Sequence, residues 1–173
     1  LYKTKGVLKF SPEDITNKHI NQSPWKRVAM IILDGELDRY YAWFINQRFS
    51  MKLNKNLRGP HVTFISDRVD MDKFNEIAEK YDNTEVELYY SIEPFTNGKH
   101  WWLRTFCLDI EPIREEMGLD KYPHFGIHLT LGHVSNTQLP HGEYIKEVCD
   151  AYGLLNNQPR KPFGEYIIID NTI

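Results

Sequence analysis

The chain has 173 residues, which suits one domain, and a chain of this length buries roughly 70% of its unfolded surface. Lys and Arg total 21 against 24 Asp and Glu, and the net charge of −3 argues against a protein that coats long nucleic acid. A small anionic substrate in a local basic pocket remains compatible with that charge. Two cysteines are too few for a disulfide framework, no apolar stretch is long enough for a membrane span, and no signal-peptide pattern follows the first residue. We therefore expect a reduced, cytoplasmic setting and no membrane partner.

The first half of the chain alternates strands with helices. In chain order we predict a strand at Val7–Phe10, a polar loop at Ser11–Pro24, a strand at Arg27–Leu33, a helix at Leu37–Phe49, a strand at His61–Ser66, a helix from an Asp70 cap to Tyr81, and a strand at Glu85–Ile92.

The second half repeats this order after a polar turn. We predict the turn at Pro94–Lys99, a strand at Trp101–Ile110, a helix at Pro112–Met117, a strand at Phe125–Val134, a helix at His141–Tyr152, a loop at Asn156–Pro162, and a strand at Glu165–Asp170. The repeated β-α-β-α-β order predicts a single α+β domain over residues 1–173, with lobes at about 27–92 and 101–170. We expect two pseudo-symmetric antiparallel sheets, flanked by helices, around a central groove.

The middle strands of the two halves carry nearly the same tetrapeptide. One begins at His61 and reads His-Val-Thr-Phe; the other begins at His128, 67 residues later, and reads His-Leu-Thr-Leu. Residues i and i+2 of a strand share a face, so each histidine points the same way as its threonine, Thr63 or Thr130. A third match begins at His133, but it stands five residues after His128, and strand alternation predicts that it faces the other side.

Two imidazoles and two hydroxyls across a cleft suit phosphodiester chemistry. A neutral histidine can take a proton from the attacking group, and a protonated one can give a proton to the leaving oxygen. Threonine hydroxyls can donate to the non-bridging phosphate oxygens and stabilise their charge without a metal. The pattern leaves open which histidine is the base, and whether water or a 2′-hydroxyl of the substrate attacks.

The paired motifs resemble those of the two-histidine (2H) phosphoesterase superfamily, which includes the LigT-like enzymes, and the likeness covers about residues 25–170. The resemblance implies a bilobal fold with one His-x-Thr/Ser motif in each lobe. It implies catalytic roles for His61, Thr63, His128 and Thr130. It also implies a hydrolase that processes 2′,3′-cyclic or 2′-5′ linked phosphates with no metal and no cofactor.

Within that superfamily the chain is most similar to the small phage anti-CBASS phosphodiesterases. The likeness lies in the small size, in an N-terminal strand that carries Tyr2 and Lys3, and in a last strand that begins with Glu165. It implies cleavage of 3′-5′ linked cyclic di- and trinucleotide signals in the cytoplasm of an infected bacterium. Two other functions stay open: a 2′,3′-cyclic phosphodiesterase or 2′-5′ RNA-processing enzyme, and a nucleotide-binding module without catalysis.

Three further residues are candidates for substrate binding: Tyr2, Trp102 and Glu165. Aromatic rings stack on bases, and a carboxylate accepts from a base or ribose hydroxyl. Tyr2 is equally explained as a terminal residue, Glu165 as an exposed carboxylate at a strand end, and one of the adjacent Trp101 and Trp102 as core.

The remaining charges and histidines carry weaker signals. Four cations are expected to be solvated charges, or in one or two cases to lie near the groove and attract phosphate: Lys3, Lys5, Arg58 and Arg104. We expect no metal site, since His124 and His128 would lie about 13 Å apart along a strand.

Overall fold

The structure, a computed structural model, describes residues 1–11, 27–56 and 59–134. The helix predicted at His141–Tyr152, the loop at Asn156–Pro162 and the strand at Glu165–Asp170 lie outside the described residues, as does nearly all of the loop predicted at Ser11–Pro24.

The described residues form seven strands and three helices. In chain order they are β1 Tyr2–Phe10, β2 Ala29–Leu33, α1 Leu37–Phe49, β3 His61–Ile65, α2 Met71–Tyr81, β4 Glu85–Tyr90, β5 Phe95–Thr96, β6 His100–Phe106, α3 Ile110–Glu116 and β7 Ile127–His133.

Most predicted elements are confirmed, with shifts where pairing over long sequence distances decides the ends. Helix α1 has the predicted bounds, and the Asp70 side chain caps α2 by accepting from the backbone N–H groups of Asp72 and Lys73. Strand β1 begins five residues earlier than predicted because Tyr2 already pairs with Tyr90 of β4. The predicted turn at Pro94–Lys99 contains the short strand β5, which pairs with β6.

The strands form one antiparallel sheet in the order β4-β1-β2-β3-β7-β6-β5. A further pairing of β4 with β6 closes six of them into a barrel. The α+β class is confirmed. Strands from both predicted lobes belong to this one sheet, and two strand pairs join them, β3 with β7 and β4 with β6.

All three helices pack against one face of the sheet. That face carries alternate strand residues such as Leu8, Val62 and Leu129, and these form one buried cluster with apolar residues of α1, α2 and α3. Each fully buried Leu, Val or Ile contributes roughly 1.5–3 kcal/mol to folding. The strand residues between them, which point to the opposite face, include both histidine–threonine motifs. We call this opposite side the polar face. Among the described helices, none combines the length and apolar character needed to cross a bilayer.

The two motif strands share an irregularity at the same position. Thr63 pairs with Met30 but Ile65 pairs with Ala29, so Phe64 is the extra residue of a β-bulge. Thr130 pairs with Trp102 but Gly132 pairs with Trp101, which leaves Leu131 extra. Each bulge directly follows the threonine of its motif, and bulges are frequent next to active sites because they redirect the strand. The two halves are therefore alike in backbone as well as in sequence at this point.

Candidate functional site

The two motifs meet through the pairing of β3 with β7. Val62 lies opposite Leu129 in this antiparallel pair. One further residue in each direction brings His61 opposite Thr130 and Thr63 opposite His128. Directly opposite residues have Cβ atoms about 5 Å apart, and diagonal ones about 7–8 Å. The four predicted catalytic side chains therefore form one group, the HxT cluster, of His61, Thr63, His128 and Thr130.

The side chains of the HxT cluster are more exposed to solvent than the residues between them. All four side chains are partly exposed, whereas Val62 and Leu129 are buried. The cluster thus combines access for a ligand with a rigid base, since the intervening side chains are fixed in the core.

A hydrogen bond to the backbone defines the tautomer of the neutral His61 ring. Its Nδ1 lies 3.0 Å from the carbonyl oxygen of Gly59. A carbonyl only accepts, so Nδ1 carries the hydrogen and donates. In the neutral ring Nε2 then holds the lone pair and can accept a proton, and in the charged ring Nε2–H can give one.

The neighbouring strands surround the HxT cluster unequally. Ile32 of β2 and Trp102 of β6 flank the His61–Thr130 pair, whereas Met30 of β2 and Arg104 of β6 flank the Thr63–His128 pair. One half of the site is therefore apolar and the other cationic. Arg104 is one of the charges for which both a solvated position and a position near the groove were open: its side chain is partly buried, and its guanidinium carbon lies 4.2 Å from the centroid of the Phe95 ring.

The structure decides between the two adjacent tryptophans. Trp101 is fully buried on the helix-covered face, with its ring 5.4 Å from that of Phe49. Trp102 lies on the polar face opposite Thr130 but is only 4% exposed. Trp102 thus borders the cluster, and its burial leaves little ring surface on which a base could stack.

Of the other two predicted substrate-binding residues, the structure places only Tyr2, and it is not brought to the cluster. Tyr2 shares the face of Leu8, opposite to the polar face, where it is 50% exposed and its ring lies 6.0 Å from that of Tyr90. Glu165 lies outside the described residues.

The prediction that His133 faces away from His128 is wrong, because the strand is not regular between them. The bulge at Leu131 shifts the alternation by one residue, so His133 pairs with His100 on the polar face, and their ring centroids are 6.0 Å apart. Sequence alternation missed this because it assumes a regular strand. Among the described residues no three or more His, Cys, Asp or Glu side chains are grouped to hold a metal ion.

A short segment braces β7 at the cluster. The Asn56 side chain donates a 2.6 Å hydrogen bond to the carbonyl oxygen of Thr130, and Asn54 exchanges backbone hydrogen bonds with His133. These bonds run from a loop without regular structure, so no periodicity in the sequence indicated them. They fix the backbone of the second motif and of the residues that follow it.

Comparison with protein-family models, with curated proteins and with solved structures finds no match to this chain.

Proposed function

We propose that this chain is a metal-independent phosphodiesterase of the 2H type, whose two motif strands β3 and β7 lie side by side. One observation carries the proposal: Val62 pairs with Leu129, and this register sets each motif histidine opposite the threonine of the other motif, on one partly exposed face. The register therefore gathers two groups that transfer protons and two that donate hydrogen bonds, although the motifs are 67 residues apart in sequence.

The chemistry follows from these four groups. One imidazole removes a proton from water or from a 2′-hydroxyl of the substrate, and that oxygen forms a bond to phosphorus. The bond from phosphorus to the leaving oxygen breaks, and the second imidazole, as imidazolium, protonates that oxygen. The hydroxyls of Thr63 and Thr130 donate to the non-bridging oxygens as their negative charge grows.

The substrate we propose is a 3′-5′ linked cyclic di- or trinucleotide. Support comes from the resemblance to the phage anti-CBASS enzymes and from the partly exposed cluster with a tryptophan and an arginine at its border. In this role the protein would remove a bacterial immune signal in the cytoplasm of an infected host. The net charge of −3 favours such a small substrate over long nucleic acid.

A chromatographic cleavage assay in EDTA tests the proposal. The panel contains 3′,3′-cyclic dinucleotides, cyclic trinucleotides, a 2′,3′-cyclic nucleotide monophosphate and a 2′-5′ linked dimer. Wild type is compared with His61→Ala, His128→Ala and the matched control His124→Ala, whose histidine is exposed outside the cluster. We expect cyclic oligonucleotides to be opened, with kcat lowered at least about 10²-fold by either cluster variant.

Each other outcome identifies a different function. Cleavage of only the 2′,3′-cyclic or 2′-5′ linked compounds would move the protein to RNA processing. Tight binding with full recovery of the intact ligand would make it a nucleotide-binding module. Wild-type turnover in His61→Ala or His128→Ala would refute the mechanism, and so would complete loss of activity in EDTA that added metal restores.

A further inference from the structure

Arg104 stands beside one of the two cluster histidines. In the β6–β7 pair Arg104 lies opposite His128, and Trp102 lies opposite Thr130. Because Trp102 and Arg104 are two residues apart on β6, both point to the polar face. Arg104 is thus the direct neighbour of His128 and a diagonal neighbour of Thr130.

The surroundings hold the Arg104 guanidinium in place. The ring of Phe95 lies beneath it, with 4.2 Å between the guanidinium carbon and the ring centroid. The Arg104 backbone is fixed on both sides, by the pairing with β7 and by a 2.9 Å hydrogen bond from the Ser91 N–H to its carbonyl oxygen. Stacking on an aromatic face favours the cation and orients its plane, and the planar fork of N–H donors matches the geometry of phosphate oxygens.

In the proposed mechanism the imidazolium acts on the leaving oxygen, and the two threonine hydroxyls offer the non-bridging phosphate oxygens no positive charge. Arginine binds phosphate oxygens by short charge-assisted hydrogen bonds, and such bonds are stronger than those from neutral donors. Their contribution grows in the transition state, where negative charge accumulates on the non-bridging oxygens. The chain as a whole is acidic, so this charge has to be supplied locally.

We propose that Arg104 binds a non-bridging oxygen of the scissile phosphodiester on the β6 side of the HxT cluster. This rests on the proposed function and adds to it a residue that recognises the phosphate. Because Arg104 lies at the His128 end of the cluster and on one side of it, it contacts one of the two non-bridging oxygens and distinguishes it from the other.

The test uses the full chain and cyclic dinucleotides whose linkages carry a phosphorothioate of one configuration, Rp or Sp. Wild type should cleave one diastereomer faster, because sulfur weakens the contact with Arg104 in the other. In Arg104→Met, kcat/KM on the all-oxygen substrate should fall by about 10² or more, and the preference between diastereomers should approach one. Arg104→Lys should keep part of the kcat/KM and part of the diastereomer preference, since lysine retains the charge but not the planar edge. The matched control is Arg48→Met, on α1, which should change neither kcat/KM nor the preference between diastereomers.

A second variant keeps the test decisive if Arg104→Met does not fold. Phe95→Leu removes the ring under the guanidinium but keeps the charge, and should lower kcat/KM several-fold and reduce the diastereomer preference. Unchanged kcat/KM and unchanged preference in folded Arg104→Met and Phe95→Leu would overturn the role of Arg104 alone. Absence of cleavage by wild type would overturn the proposed function and this role with it.

Discussion

Val62 and Leu129 lie directly opposite each other in the β3–β7 pair, and both are fully buried. This apolar contact sets the chemistry on the opposite face. With these two residues in register, His61 must lie opposite Thr130, and Thr63 opposite His128. Each histidine therefore has as its nearest hydroxyl across the strands the threonine of the other motif, so neither motif forms a complete site by itself.

Removing one hydroxyl should lower activity while leaving the fold intact. Valine has nearly the shape of threonine and is equally suited to a strand, so Thr63→Val and Thr130→Val should unfold at urea concentrations close to wild type. Each should lower kcat about 10²-fold, because each removes one donor to the phosphate. Urea unfolding and initial rates on the best cyclic dinucleotide check this, and a wild-type kcat in either variant would exclude that hydroxyl from catalysis.

Local signals in the sequence predicted the elements well. The spacing of Leu37, Tyr41 and Ile45 gave the bounds of α1, since helical packing depends on neighbours three and four residues apart. The cap at Asp70 is likewise a local arrangement. The matching histidine–threonine tetrapeptides indicated the cluster because strand alternation is also local.

The pairing of distant segments could not be predicted in the same way. Nothing near Val62 indicates that Leu129 will be its partner, and the two bulges at Phe64 and Leu131 become visible only when both strands are paired. One of these bulges changes the face of His133. The position of Arg104 beside His128 depends on the same long-range register, which is why the sequence left open whether it is solvated or near the groove.

The buried Arg114 should be a major contributor to stability. Only 2% of its side chain is exposed; it donates from Nε to the Asp120 carbonyl oxygen at 2.7 Å and from Nη1 to the Phe64 carbonyl oxygen, and forms an ion pair with Asp67. Arg114→Met leaves two carbonyl acceptors without this donor, so we expect a loss of about 3 kcal/mol in the free energy of unfolding. Urea denaturation measures it.

The control for Arg114 is an exposed arginine in an ion pair. Arg39 pairs with Glu36 at the surface, and Arg39→Met should cost less than about 1 kcal/mol. Because the Phe64 carbonyl belongs to the bulge that follows Thr63, Arg114→Met should also lower kcat in the part of the protein that stays folded. A loss in Arg114→Met that is also below about 1 kcal/mol would show that the buried contacts of Arg114 are dispensable.

Gly132 should tolerate no side chain. A Cβ at this position would lie 2.5 Å from the backbone oxygen of Asn54 and 3.1 Å from the Leu53 Cβ, at a φ of +150°. Gly132→Ala should destabilise by about 3 kcal/mol, because the segment that braces β7 has to move. The control is Gly98→Ala, which distinguishes backbone strain from steric contact. Gly98 also has a positive φ, but a Cβ there would meet nothing within 4 Å. It should cost only about 1 kcal/mol, and a similar loss for both variants in urea unfolding would contradict the close approach.

Protonation of His100 should weaken the fold on the acid side. Burial lowers the pKa of His100 from its ordinary value, and the neighbouring His133 and Lys99 lower it further. The unfolded chain therefore binds the proton more readily than the folded one, so stability is lost as the pH falls through about 6.5 towards the lower folded value. Urea unfolding at pH 7 and pH 5 should show a smaller acid loss in His100→Gln than in wild type. His133→Gln keeps His100 but removes one neighbouring charge, so its loss of stability between pH 7 and pH 5 should lie between those of wild type and His100→Gln. An acid loss in His100→Gln equal to that of wild type would show that other groups cause it.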